Sequence, residues 1–278
     1  MQTRWEQLTF LHRLSPDSLP INYLLIDMAR WEEAQEVIHQ LIEQPELTLL
    51  FAGTHHQALL EVSPLLLSLP SERTVRETLL TEVRKRRAGV ALRASLSCSC
   101  EELANHFRQF LTVPDGQGQS YLRFYDPAIW LAIYACQYDA PLVSSVLEAV
   151  YLPDWCSATW CEIVSAEHEA AFEQPVCLSA ELLAMAQKTR LLYSLQAAQI
   201  DPALCYGLAS SLACLIEKGL TEQWELMPWL TLLNDYPAPV LDGRMAQWLA
   251  TFDIECHEPL AVANRFWQHQ THQPVEAL

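Results

Sequence analysis

Glycine is scarce in this chain, seven residues in 278, against roughly 7% in an average sequence. Turns that need a positive φ are therefore few, and helix is expected to outweigh strand. Basic residues are scarce too: 17 Lys and Arg stand against 34 Asp and Glu, a formal net charge of −17. A nucleic-acid partner is not expected, because gripping a phosphate backbone requires a positive surface that releases counterions. Long apolar runs are lacking: the longest, "AIWLAIYAC" at 128–136, is about half of the ~18 residues that suggest a membrane span, and it suits a buried helix. No membrane insertion is expected. The opening "MQTRWEQLTFLHRLSPDSLP" has neither the apolar core nor the small-residue cleavage site of a signal peptide. Nine cysteines without a disulfide-scaffold spacing fit a reducing compartment. Together these features predict a cytoplasmic protein. There is no Gly-x-Ser-x-Gly elbow and no phosphate-cradling glycine loop, so neither a catalytic residue nor a cofactor is nominated.

What is present is a change of pattern near the middle. Up to residue 139, apolar runs of strand length alternate with segments of helical period. "INYLLID" (21–27), "LTLLFAG" (47–53), "PLLLSL" (64–69) and "AGVALRAS" (88–95) read as strands or extended runs. "RWEEAQEVIHQLIEQ" (30–44), "SERTVRETLLTEVRKRR" (71–87) and "SCEELANHFRQFLTV" (99–113) read as helices, the last opened by a Ser99–Glu102 capping box. "PDGQGQS" (114–120) is a turn or hairpin signal. After residue 139, "YLPDWCSATWCEIVSAE" (151–167) holds at most a strand or two. From Ser179 onward apolar residues recur at helical spacing, with Asp201-Pro202 opening one helix and Gly219 closing it. The expected fold is an α/β N-terminal lobe, a mixed sheet with flanking helices, over residues 1–139, plus a mainly α-helical lobe over 140–278, with a boundary near "QYDAP" (137–141). The first segment carries net −5 and the second net −12, so the helical lobe is the acidic one.

The most distinctive stretch is "SYLRFYDPAIW" (120–130). Asp126 before Pro127 has the form of a helix start: an Asp oxygen caps free N–H groups and proline takes the first helical position. Read as a strand, the stretch turns Leu122 and Phe124 to one side and Arg123 and Tyr125 to the other. Asp126 and Pro127 are thus read as a structural corner, with Arg123 and Tyr125 as candidate partner contacts. Metal binding is not expected. Cys98 and Cys100 are separated by one residue, Cys156 and Cys161 have no second pair, and His55-His56 and His269/His272 lack further ligands at suitable spacing. "RKRR" (84–87) falls at a helix end, where cations complement the dipole.

Taken in order, "YLLIDMAR", "LLFAGTHHQALLEVSPLLLSL", "GVALRASLSCSCEELANHFRQFLTVPDGQ" and "YLRFYDPAIW" resemble the DUF4123 domain family of type VI secretion effector chaperones, or adaptors, of Gram-negative bacteria. The resemblance covers residues 21–138. Its most specific element is the ordered pair "ANHFRQFLTV" and "LRFYDP". It implies a non-enzymatic protein that binds a cognate toxic effector, often through the effector's N-terminal region, and loads it onto the spike protein while itself remaining in the cell. The position after "DP", often basic in the family, is Ala128 here, so no ionic role is carried over to it. Two alternatives stand beside this reading: a hydrolase or transferase with an inter-lobe site using Asp126, Arg123 and a distant His, and a structural spike or baseplate component.

Overall fold

The computed structural model describes residues 5, 8, 11–136, 146–155, 157–164, 176–198, 200–256 and 258–272. The boundary expected at 137–141 and Cys156 lie outside the described residues. The chain forms two compact units, 1–186 and 187–278, which are described separately.

The first unit is built on a seven-stranded sheet in the order β1-β9-β8-β5-β2-β4-β3. The strands are β1 (Arg13–Leu14), β2 (Tyr23–Ile26), β3 (Leu47–Leu49), β4 (Leu65–Ser68), β5 (Gly89–Ala94), β8 (Leu147–Pro153) and β9 (Trp160–Val164). A separate hairpin pairs β6 (Thr112–Asp115) with β7 (Gly118–Tyr121). The α/β unit followed by a mainly helical unit is the fold class read from the sequence. Every pair within the sheet is antiparallel, where alternation of strand and helix had suggested a mixed sheet. The sheet also continues past residue 139, since β8 and β9 extend it beyond β5 and the compact unit runs on to Ala186.

The central strands are apolar without alternation because both faces are covered. Leu24, Ile26, Leu65, Leu67, Ala91, Ala149 and Tyr151 share one face. They form a core with Trp31, Ala34 and Ile38 around α1 (Ala34–Leu41), and with Val75, Leu79, Leu80 and Val83 of α2 (Arg73–Arg86). The alternate residues Tyr23, Leu25, Leu66, Val90 and Leu92, all buried, point to the other face. There Tyr23 Oη donates to the Cys98 carbonyl (2.8 Å), just ahead of α3 (Cys100–Arg108). Burial raises the Tyr23 phenol to about 12. In the same unit α4 (Pro127–Ala135) is apolar all round and almost wholly buried, as its nine-residue run foretold.

Two details fix the middle of the sheet. Asn22 clamps the end of β5: its amide donates to the Ala94 carbonyl (2.9 Å) and its carbonyl accepts from the Ala94 N–H (2.8 Å). Gly89 sits opposite Ile26 with φ of 148°, and a β-carbon there would lie 2.1 Å from the Leu25 carbonyl oxygen. No larger residue fits that crossing. Both edge strands are short, two residues in β1 and three in β3, which limits edge-to-edge pairing.

The second unit consists of helices. After α5 (Ala180–Ala197), within which the division between units falls, come α6 (Pro202–Glu217), α7 (Gln223–Asp235), α8 (Pro237–Leu241), α9 (Arg244–Thr251) and α10 (Pro259–His272). Asp201 caps α6, its Oδ1 accepting from the Ala203 N–H (2.9 Å) ahead of Pro202. α6 packs against α7, α8 and α9. It approaches α8 so closely at Gly207 that a β-carbon would meet the Val240 carbonyl oxygen at 2.1 Å. No helix among the described residues is long and apolar enough to cross a membrane.

Candidate functional site

The "RFYDP" stretch is a turn, not a strand. β7 ends at Tyr121, and the Asp126 N–H donates back to the Arg123 carbonyl (2.9 Å). The predicted alternation therefore fails. Leu122, Phe124 and Tyr125 are all buried, while Arg123 keeps 40% of its side chain exposed. Asp126 caps α4, with Oδ1 accepting from the Ala128 N–H (3.0 Å) and Pro127 in the first helical turn.

The corner is tied to the end of β2 by two buried carboxylates and two half-exposed arginines. Asp27 follows Ile26 and is fully buried; its Oδ1 accepts from the Ala29 N–H (3.1 Å) and its Oδ2 accepts from Arg123 Nη2 (2.7 Å). Arg30 lies one turn on, with Nε 3.7 Å from Asp27 Oδ2, Nη2 donating to Asp126 Oδ2 (2.8 Å) and Nη1 donating to the Arg87 carbonyl (3.0 Å). Arg87 ends α2 in the left-handed conformation. The chain of contacts Arg123–Asp27–Arg30–Asp126 thus binds the ends of β2 and α2 and the start of α4 into one knot. Each carboxylate has a backbone N–H and an arginine, the arrangement that makes burial of charge tolerable.

Aromatic contacts extend the knot. The Arg123 guanidinium lies 5.5 Å from the Tyr125 ring centre, and Tyr121 Oη donates to Tyr125 Oη (3.1 Å). Burial pushes both phenols up, so they stay protonated at neutral pH. Phe124 stacks on Phe107 of α3 at 5.2 Å. That contact joins "ANHFRQFLTV" to "LRFYDP", the two motifs on which the resemblance chiefly rests. Sequence reasoning assigned Asp126 its cap but gave no role to Asp27 and Arg30. The available signal was an acidic residue closing an apolar strand three positions before an arginine, in "LLIDMAR".

The other candidates occupy separate places. The His55 and His56 rings lie 3.9 Å apart, tilted by 44°, and their Nε2 atoms lie 3.3 and 3.4 Å from the same Thr112 hydroxyl. Burial, and then the neighbouring His55, lowers the His56 pKa. Cys98 and Cys100 are buried free thiols that burial pushes up, with Cys100 Sγ 3.6 Å from Thr48 Oγ1. Cys161 is buried beside Asp154, and His269 is exposed on α10. Among the described residues no three His, Cys, Asp or Glu side chains converge as metal ligands. In "RKRR", Lys85 and Arg86 both pair with Glu82, and the Arg86 guanidinium lies over Trp31 at 5.2 Å.

The helical unit carries apolar surface of a different kind. Trp248 stacks on Phe266 (4.9 Å) and, with Arg244, Gln247, Trp267 and Gln270, lines a groove of about 350 Å³. On α7, Trp224 is 74% and Met227 48% exposed.

Residues 22–141 match the family model described as "Domain of unknown function (DUF4123)". The matched span begins at the Asn22 clamp and contains all four residues of the ion-pair knot. No curated protein and no solved structure matches the chain.

Proposed function

We propose that this chain is an effector chaperone, or adaptor, of a type VI secretion system: it binds a cognate toxic effector, keeps it stable and assists its loading onto the spike protein. The carrying observation is the DUF4123 domain over residues 22–141, with its "ANHFRQFLTV" and "LRFYDP" motifs packed together through Phe107 and Phe124. In this reading the first unit carries the family domain and the helical unit adds partner specificity. A binding role suits a protein that leaves Trp224, Met227 and Phe266 in solvent, since large exposed apolar side chains mark interaction surfaces. The non-enzymatic reading is supported by Asp126, whose carboxylate is occupied by the Ala128 N–H and by Arg30, and which is thus ill placed to act as an acid or base.

The test is co-expression with the effector encoded beside this gene, measuring the effector's soluble level and its delivery to competitor cells with and without this protein. A lower level and lost delivery in its absence are expected. An effector equally stable and equally delivered without it would refute the proposal. Recovery of this protein in the secreted particle would instead favour a structural spike component.

A further inference from the structure

The outer face of α7 is built like a second interior. Successive helical residues advance by about 100°, so Trp224, Met227, Pro228 and Thr231 fall within an arc of about 100°. All four are exposed. Trp229, Leu232 and Leu233 on the opposite side are buried in the unit's core. The helix therefore has two faces bearing large apolar groups, and the unit's own core accounts for only one of them. Pro228 has no N–H to return to the Trp224 carbonyl, which leaves an acceptor on the helix near its exposed tryptophan.

Along this stretch of the chain the charge is of one sign, with Lys218 and Arg244 immediately outside it. From Gly219 to Gly243 there is no Lys, Arg or His, whereas Glu222, Glu225, Asp235 and Asp242 are all acidic. Of these, Asp242 is paired with Arg244 (2.7 Å), and Glu225 accepts from the N–H groups of Thr221 and Glu222. A lipid surface of anionic headgroups would be repelled by such a border, and a second copy of this acidic face would meet like charge. An apolar stripe flanked by Lys and Arg would find both its requirements met, with tryptophan as the kind of anchor that dominates interfaces. We propose that the Trp224–Met227–Pro228–Thr231 face docks a basic amphipathic segment of the partner protein. That the partner is a secreted effector rests on the chaperone reading; the surface and the chemistry of its occupant do not.

The test uses the full chain and three fluorescently labelled peptides: a Leu/Lys amphipathic helix, its Leu/Glu counterpart, and a Leu/Lys peptide of the same composition scrambled to destroy the apolar stripe. Fluorescence anisotropy should show the first bound at least tenfold more tightly than either of the others, and Trp224→Ala should weaken it at least tenfold. Because Trp224 is 74% exposed, the melting temperature should not change; Met227→Ser serves as a second variant and should weaken binding in the same direction. Equal binding of the scrambled peptide, unchanged binding by both variants, or a self-association of the wild type that Trp224→Ala abolishes would each overturn the proposal. The co-expression assay separates the two readings. If the effector still needs this protein but Trp224→Ala and Met227→Ser support it fully, the docking face fails and the chaperone reading stands. If the effector never needs this protein while the peptide binds as expected, the reverse holds.

Discussion

Asp27→Asn is the most revealing single change in the first unit. It keeps the shape of the side chain and an oxygen for the Ala29 N–H, but removes the charge that faces Arg123 Nη2 at 2.7 Å and Arg30 Nε at 3.7 Å. Breaking a buried ion pair by deleting one partner typically costs about 3–5 kcal/mol. Here the carboxylate is fully buried, but the two guanidinium groups keep 40% and 36% of their side chains in solvent, so water recovers part of the loss. We expect a loss of about 2–3 kcal/mol, measured by urea denaturation, and a fall in melting temperature of about 4–12 °C for a unit of this size. Arg123→Gln should cost at least as much, because it leaves the fully buried Asp27 carboxylate with only the Ala29 N–H and the longer contact to Arg30 (3.7 Å). In a double-mutant cycle the pair should show a coupling of at least about 1 kcal/mol. A loss below about 0.5 kcal/mol for Asp27→Asn, with additive double mutants, would refute the view that the knot holds β2, α2 and α4 together.

Three further outcomes follow from the packing. Gly89→Ala should abolish soluble expression or cost more than about 4 kcal/mol, since its β-carbon would lie 2.1 Å from the Leu25 carbonyl oxygen, whereas Gly53→Ala, with open space around it, should cost about 1 kcal/mol, from its positive φ alone. Asn22→Ala leaves the N–H and carbonyl of Ala94 without their side-chain clamp and should cost about 1–3 kcal/mol, read as faster hydrogen exchange at the end of β5. Burial raises the phenol pKa values of Tyr23, Tyr121, Tyr125 and Tyr151. Their folded values exceed their unfolded ones, so the stability they confer is complete below about pH 10 and is lost as pH rises above it. Absorbance at 295 nm should show these phenols ionising only with unfolding; full ionisation near pH 10 in a protein still folded by circular dichroism would contradict their burial.

Local order was largely readable from residue patterns. The Ser99–Glu102 capping box forms, the "DGQG" turn closes the β6–β7 hairpin, and Asp126-Pro127 and Asp201-Pro202 each open a helix. These features depend on neighbours within a few residues, so the chain states them directly. Leu122 to Tyr125 misled because alternation is a rule for strands, and the backbone turns after Tyr121. The extent of the sheet was hidden for another reason: β8 and β9 follow the change in composition at residue 139, yet β8 pairs back onto β5 across more than 50 residues and β9 pairs onto β8.

The sequence by itself determined most of the helices, the central strands, the class of the fold, the acidity of the chain and the family likeness of residues 21–138, because each of these resides in short-range pattern or composition. Only the tertiary structure decided that Asp27 and Arg30 join Arg123 and Asp126 in one charge-balanced knot, 96 residues separating Asp27 from Arg123 and Arg30 from Asp126. It also decided which face of α7 is buried, since Trp224 and Trp229 are the same residue on the same helix, and only packing against neighbouring helices places one in the core and leaves the other in water.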